Sequence, residues 1–163
     1  MSEVPVLTKA QQNYKRWHDY ADLDSELRYE VEAMKGKAAQ IEEAFGQGLE
    51  FGTAGLRGII GAGTNRMNIY TVRKASLGLA RYIIRSVKKP WSIAISYDCR
   101  RKSRRFAEEA AQVFANNGIK SLIFNEMQPV PLLSFAVLQK KASAGVMITA
   151  SHNPKEYNGY KVY

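Results

Sequence analysis

Cysteine is almost absent: Cys99 stands alone among 163 residues, which excludes an internal disulfide and a thiolate metal cluster. A reducing, cytoplasmic setting is the expectation. No apolar run approaches the length of a membrane span. The opening MSEVPVLTKAQQNYKRWHDY has no apolar core of the signal-peptide kind, which argues against secretion. Acidic residues are short as well, with 15 Asp and Glu against 24 Lys and Arg for a formal net charge of +9. Such an excess attracts anions, whether nucleic acid, acidic lipid or phosphorylated small molecules. Arg100, Arg101, Lys102, Arg104 and Arg105 hold much of it. A solvated loop leading into a helix accounts for that run too, so charge alone does not choose a partner.

What is present reads as one domain with a hydrophobic core, at 45% hydrophobic and 24% charged residues. Thr8 to His18 and Ser25 to Phe45 are polar stretches with apolar residues at helical spacing, among them Leu27, Val31, Met34, Ala38 and Ile41. They predict surface helices, a segment over 1–45 packed on a domain over 46–163. Gly46 to Gly63 is glycine-rich and too irregular for a helix. Ile69, Val72, Leu79, Ile83 and Val87 then repeat at a helical period, with Asn68 placed to cap the start.

Beyond that the pattern alternates. Trp91 to Tyr97, Ser121 to Phe124 and Ala144 to Ile148 are short β-prone runs. Between them lie a helix that Ser103 can cap and Gly118 can end, and another over Leu132 to Lys140. Alternation of this kind predicts an α/β fold: a three-layer α/β/α domain with a mainly parallel mixed sheet. Ligands gather at the loops beyond the carboxyl ends of such strands. That rule puts Asp98 and Ser151 on one rim.

Two segments carry chemistry. Thr149-Ala150-Ser151-His152-Asn153-Pro154 follows the third β-prone run. Its composition suits a plain polar turn. It also offers a hydroxyl at the mouth of a strand, beside His152 and followed by Lys155 and Lys161. Serine is a weak nucleophile that needs a base or a setting built for phosphate. No carboxylate at triad spacing and no G-x-S-x-G elbow is present, so a hydrolase is disfavoured. The second segment is Phe51-Gly52-Thr53-Ala54-Gly55-Leu56-Arg57-Gly58. Glycines let backbone amides approach an anion, and an arginine adds a two-pronged phosphate contact. It is neither a Walker loop nor a dinucleotide fingerprint.

Taken together, GTAGLRG and TASHNP resemble the G-T-x-G-x-R-G signature and the phosphoserine loop of the α-D-phosphohexomutases. Tyr97-Asp98-x-Arg100-x-x-Ser103 is similar to a softer pattern of that family, and Lys155 to Tyr163 looks most like its phosphoglucomutase/phosphopentomutase branch. The resemblance runs from about Thr8 to the last residue. It implies two phosphoryl transfers through a sugar bisphosphate, with phosphorylated Ser151 as the carrier. Hexose or pentose 1-phosphates would be the substrates and glucose 1,6-bisphosphate the activator. Mg2+ would bind the Ser151 phosphate. It further implies that Arg57, with Thr53 and Gly55, faces phosphate, that Lys161 assists charge balance or proton transfer, and that His152 orients the site or handles a proton. Asp98 and Arg100 fit a structural role equally well.

Family members have four domains. The metal-binding D-G-D-x-D-R loop, the sugar-recognition loop and the distal-phosphate loop are not found here. The expectation is an incomplete domain I without the three later domains, inactive by itself. The competing reading is a non-catalytic basic module for anions or nucleic acid. Against it, no nucleic-acid motif is present and the aromatics do not interleave with the basic residues. Neither nucleic acid nor membrane is expected as a partner.

Overall fold

The computed structural model describes residues 6–53 and 55–163. Ala54, inside the glycine segment, and residues 1–5, the start of the expected 1–45 segment, lie outside the described residues. Helix α1 (Lys9–His18) opens on a capping box, in which Thr8 and Gln11 exchange side-chain and backbone bonds. The stretch expected as one helix over Ser25 to Phe45 is two, α2 (Ser25–Ala33) and α3 (Ala38–Phe45). Gly36 sits between them at φ +78°, a left-handed turn that a helix cannot pass through. Apolar spacing continues across the break because both helices bury the same side: Leu27 and Val31 from α2, Ile41, Ala44 and Phe45 from α3.

Strand β1 (Leu56–Ile59) lies within the glycine-rich segment, where the sequence carries no strand pattern. Its hydrogen bonds come from a partner about a hundred residues away, so no local signal announces it. Helix α4 (Ile69–Ser86) starts at Asn68 as expected, its side chain accepting from the amides of Tyr70 and Thr71. Then follow β2 (Ser92–Tyr97), α5 (Ser103–Asn116), β3 (Lys120–Ile123), α6 (Val130–Gln139), β4 (Ala144–Ile148) and β5 (Tyr157–Val162). Ser103 does not cap α5. Lys102 holds that position in a left-handed conformation without a side-chain cap, and the Ser103 hydroxyl is used elsewhere.

The sheet order is β1-β5-β4-β2-β3. Strands β3, β2 and β4 run parallel, joined by the expected helical crossovers, while β5 lies antiparallel to both β4 and β1. This is the predicted mixed sheet between two helical layers. Side chains alternate across it. Ile93, Ile95, Val146, Ile148 and Tyr160 face one layer, where α5 brings Phe106, Ala110 and Phe114, and α4 brings Val72, Ala80 and Ile83. Phe45 joins the same cluster, with the rings of Tyr14 and Trp17 set edge-on to it at 5.7 and 5.6 Å. The other face is shallower. Ala94 and Met147 meet Leu133 of α6, which packs on β2 and β4.

Candidate active site

The adjacent parallel strands β2 and β4 end side by side, and this brings Asp98 against Thr149. The Asp98 amide donates to the Ile148 carbonyl at 3.2 Å. Its carboxylate accepts from the Thr149 hydroxyl at 2.5 Å, the Ser103 hydroxyl at 2.7 Å and the Arg100 amide at 2.9 Å. Asp98 therefore ties three chain segments together at the rim. Asn158, fully buried on β5, extends the network by donating to Ser103 Oγ at 2.9 Å and the Arg101 carbonyl at 3.0 Å.

Ser151 stands just beyond β4, exposed, with φ +57°. A left-handed serine is uncommon, and its surroundings account for it. Its amide donates to Thr149 Oγ1 at 3.1 Å. Arg100 donates to four carbonyls around it: Ser151 at 2.8 Å, Asn153 at 2.7 Å, Pro154 at 2.8 Å and Tyr157 at 3.0 Å. Asp98, Cys99, Arg100 and Arg101 on one side, and Ser151, Asn153, Lys155 and Glu156 on the other, line an open cleft of about 670 Å³.

Arg57 reaches this loop from β1. Its Nη1 donates to Asn153 Oδ1 at 3.0 Å, a contact between residues 96 apart in sequence that joins GTAGLRG to TASHNP. Its Nε is buried and has no hydrogen-bond partner among the described residues. Arg57 pairs with Gly159 across β1 and β5, and Lys161 lies two residues further along β5. By alternation Arg57 and Lys161 share the face that α6 covers over β2 and β4, at the strands to one side of that helix. Gly55 has φ +89°, and a Cβ there would stand 2.5 Å from the Tyr160 carbonyl oxygen and 3.0 Å from Lys161 Cγ. Only glycine lets the segment pass this close.

Arg57 is thus brought to the Ser151 loop through Asn153, whereas Gly55 and Lys161 meet each other further down β1 and β5, away from the strand ends that carry Ser151. Thr53 is exposed in the turn between Gly52 and Gly55. His152 is exposed beside Ser151 and is not among the residues lining the cleft. Asn153 and Thr149 are the contributors that residue-by-residue reading passed over. Both lie within TASHNP, but only the fold shows that one meets Arg57 and the other Asp98.

The basic run is largely engaged within the molecule. Arg100 holds the loop carbonyls, Lys102 pairs with Glu26, Arg104 with Glu108 at 3.0 Å and Arg105 with Asp24 at 2.6 Å. For Mg2+ the fit is poor. Among the described residues no group of three or more His, Cys, Asp or Glu could hold a metal ion. A phosphate on Ser151 would supply one of the roughly six oxygens that magnesium takes.

The model for the family "Phosphoglucomutase/phosphomannomutase, alpha/beta/alpha domain I" matches residues 48–163. The chain belongs to this family. A phosphoglucomutase of Staphylococcus saprophyticus is 50% identical over 115 residues, covering 71% of this chain and 21% of that protein. A phosphoglucomutase of Staphylococcus aureus (strain bovine RF122) is 44% identical over 147 residues, covering 90% and 26%. The crystal structure of a putative phosphomannomutase from Thermus thermophilus superposes with a TM-score of 0.65 at 32% identity, covering 71% of this chain and 25% of that one. The chain therefore spans about a fifth to a quarter of the length of these phosphohexomutase-family relatives. No described helix is long and apolar enough to cross a membrane.

Proposed function

We propose that this chain supplies the phosphoserine-bearing part of a sugar-phosphate mutase, with Ser151 as the phosphoryl carrier. The contact between Arg57 and Asn153 carries this reading, because it sets a phosphate-type arginine against the serine loop. In the forward step a free hydroxyl of a hexose or pentose monophosphate attacks the Ser151 phosphorus. The bond from phosphorus to Ser151 Oγ breaks, the sugar hydroxyl gives up its proton and the serine oxygen is protonated. The sugar bisphosphate then presents its other phosphate, and the same exchange in reverse returns a phosphoryl group to Ser151. Glucose 1,6-bisphosphate would charge the free serine in the same manner.

Phosphoryl transfer depends on positioning and on cations arranged around spreading negative charge. Arg57 and Lys161 supply two such cations on one face of the sheet. Gly55 and Thr53 would let backbone approach the phosphate, and His152, exposed beside Ser151, would pass a proton at the edge of the loop. The described residues do not by themselves form a magnesium site. The same reading takes residues 46–163 as domain I and residues 1–45 as a helical addition to it. Internal pairing of the 100–105 run weighs against a free basic platform for nucleic acid.

The test is turnover by the native polypeptide that carries this sequence. Ser151→Ala should abolish interconversion of glucose 1-phosphate and glucose 6-phosphate, with and without added glucose 1,6-bisphosphate. Full turnover by the variant would overturn the assignment.

A further inference from the structure

We propose that Arg100 is a positioning residue for phosphoryl transfer, holding the backbone of the Ser151 loop in its reactive shape through a grip that Asp98 aligns. The inference rests on the reading of Ser151 as carrier and adds a requirement to it. A guanidinium offers five N–H donors in a rigid plane and no acceptor. In Arg100, Nη1 takes the carbonyls of Pro154 and Tyr157, and Nη2 takes those of Ser151 and Asn153. Its Nε faces Asp98 Oδ2 at 3.5 Å. Every nitrogen is committed to the loop or to Asp98, and the side chain is only 14% exposed. Arg100 therefore acts on the reaction through the loop.

Four carbonyl oxygens converging on one point repel one another unless a cation stands there. Removing Arg100 takes away the group that makes this turn electrostatically tolerable. Ser151, at φ +57°, would then be free to relax toward the conformations a serine prefers. Asp98 completes the device. Its Oδ2 accepts from Thr149 Oγ1, the atom to which the Ser151 amide donates. The loop after β2 thus sets the direction of a hydroxyl carried by the loop after β4.

Lysine cannot reproduce the grip, because an ammonium is a point charge with three donors and no fork. In the native polypeptide carrying this sequence, Arg100→Gln is expected to lower kcat roughly 10- to 100-fold, the cost of misplacing a reacting group by about an ångström. KM for glucose 1-phosphate should stay within roughly twofold, since no ground-state contact is lost. Arg100→Lys should recover part of kcat and not all of it. An unchanged kcat in Arg100→Gln overturns the proposal, as does a loss confined to KM, which would make Arg100 a substrate contact. Should the Gln variant fail to fold, the Lys variant decides, assayed where its circular dichroism matches that of the parent. Reduced kcat there supports the positioning role, and parental kcat overturns it. Ser151→Ala run in parallel separates the two ideas: retained turnover in that variant defeats the carrier reading, whatever Arg100 shows.

Discussion

The two faces of the sheet are built to different depths. Over one, Phe106 and Phe114 of α5, Ile83 of α4 and Phe45 of α3 fill a continuous core against Ile93, Ile95, Val146 and Ile148. Over the other, α6 contributes one fully buried residue, Leu133, against Ala94 and Met147, and leaves Phe135 and Leu138 exposed. The groups proposed for phosphate chemistry, Arg57 and Lys161, belong to the shallow side, while the deep side carries the buried Asn158 and Ser103 that brace the Asp98 network. The two proposed cations thus lie opposite the main core, and the Ser151 loop stands at the strand ends between the two faces. Packing elsewhere lets the site keep a left-handed serine and an Arg57 Nε that is buried without a partner among the described residues.

The strongest way to break the comparison is to cut into each face. Phe114→Ala, removing a ring with no exposed surface, should cost about 3–5 kcal/mol in denaturant unfolding. Phe135→Ala, at 58% exposed on α6, should change stability by no more than about 0.5 kcal/mol. Comparable losses at the two positions would erase the distinction. Next comes Arg57→Ala, for which we expect turnover by the native polypeptide to fall roughly 100-fold or more. Its melting temperature should barely move, since among the described residues the Arg57 side chain makes one hydrogen bond, to Asn153. A large drop in melting temperature with turnover intact would place Arg57 in the scaffold.

Some of this arrangement is legible in the sequence. Asn68 and the period of α4, the apolar runs of β2 and β4, and the placement of Asp98 and Ser151 on one rim all follow from local pattern and a topological rule. What is not legible is non-local. Strand β1 is interrupted by glycine and owes its form to pairing with β5, so Leu56–Ile59 reads as loop until Tyr160 is set beside it. Arg100 stands out in the sequence only as part of a basic run and of a soft family pattern with a structural role open to it; its grip on the Ser151 loop is hidden, because its four acceptors lie 51 to 57 residues away. Ser103 looks like a cap from its position, yet its hydroxyl serves Asp98. The break at Gly36 is hidden because α2 and α3 bury the same side.

Smaller effects sharpen the picture of the deep side. Gly36 has open space around it but φ +78°, so Gly36→Ala should cost about 1 kcal/mol in unfolding free energy through backbone strain alone. No cost would mean the turn between α2 and α3 does not need the left-handed form. Acid should loosen the same helices. A hydrogen bond from Arg66 holds the Glu43 carboxyl below its usual range. Burial pushes Asp24 upward, but bonds from Arg105 and the amides of Leu27 and Glu26 outweigh it and hold that carboxyl low as well. Folded values below the unfolded ones add stability that is fully present above the usual carboxylate range, around pH 4, and lost as pH falls through the folded values. Melting temperature should therefore decline on acidification below that range, and Glu43→Gln should flatten the decline. An identical acid profile in the variant would remove that pair from the account.

Ser151 is the proposed phosphoryl carrier. Phosphopeptide mapping of the native polypeptide, purified without phosphatase and then incubated with glucose 1,6-bisphosphate, tests it most directly. Phosphate is expected on the peptide containing Ser151 and on no other serine, passed to sugar when the protein is mixed with excess glucose 1-phosphate. Stoichiometric phosphate on a different serine, with Ser151 unmodified in an actively turning-over sample, would contradict it.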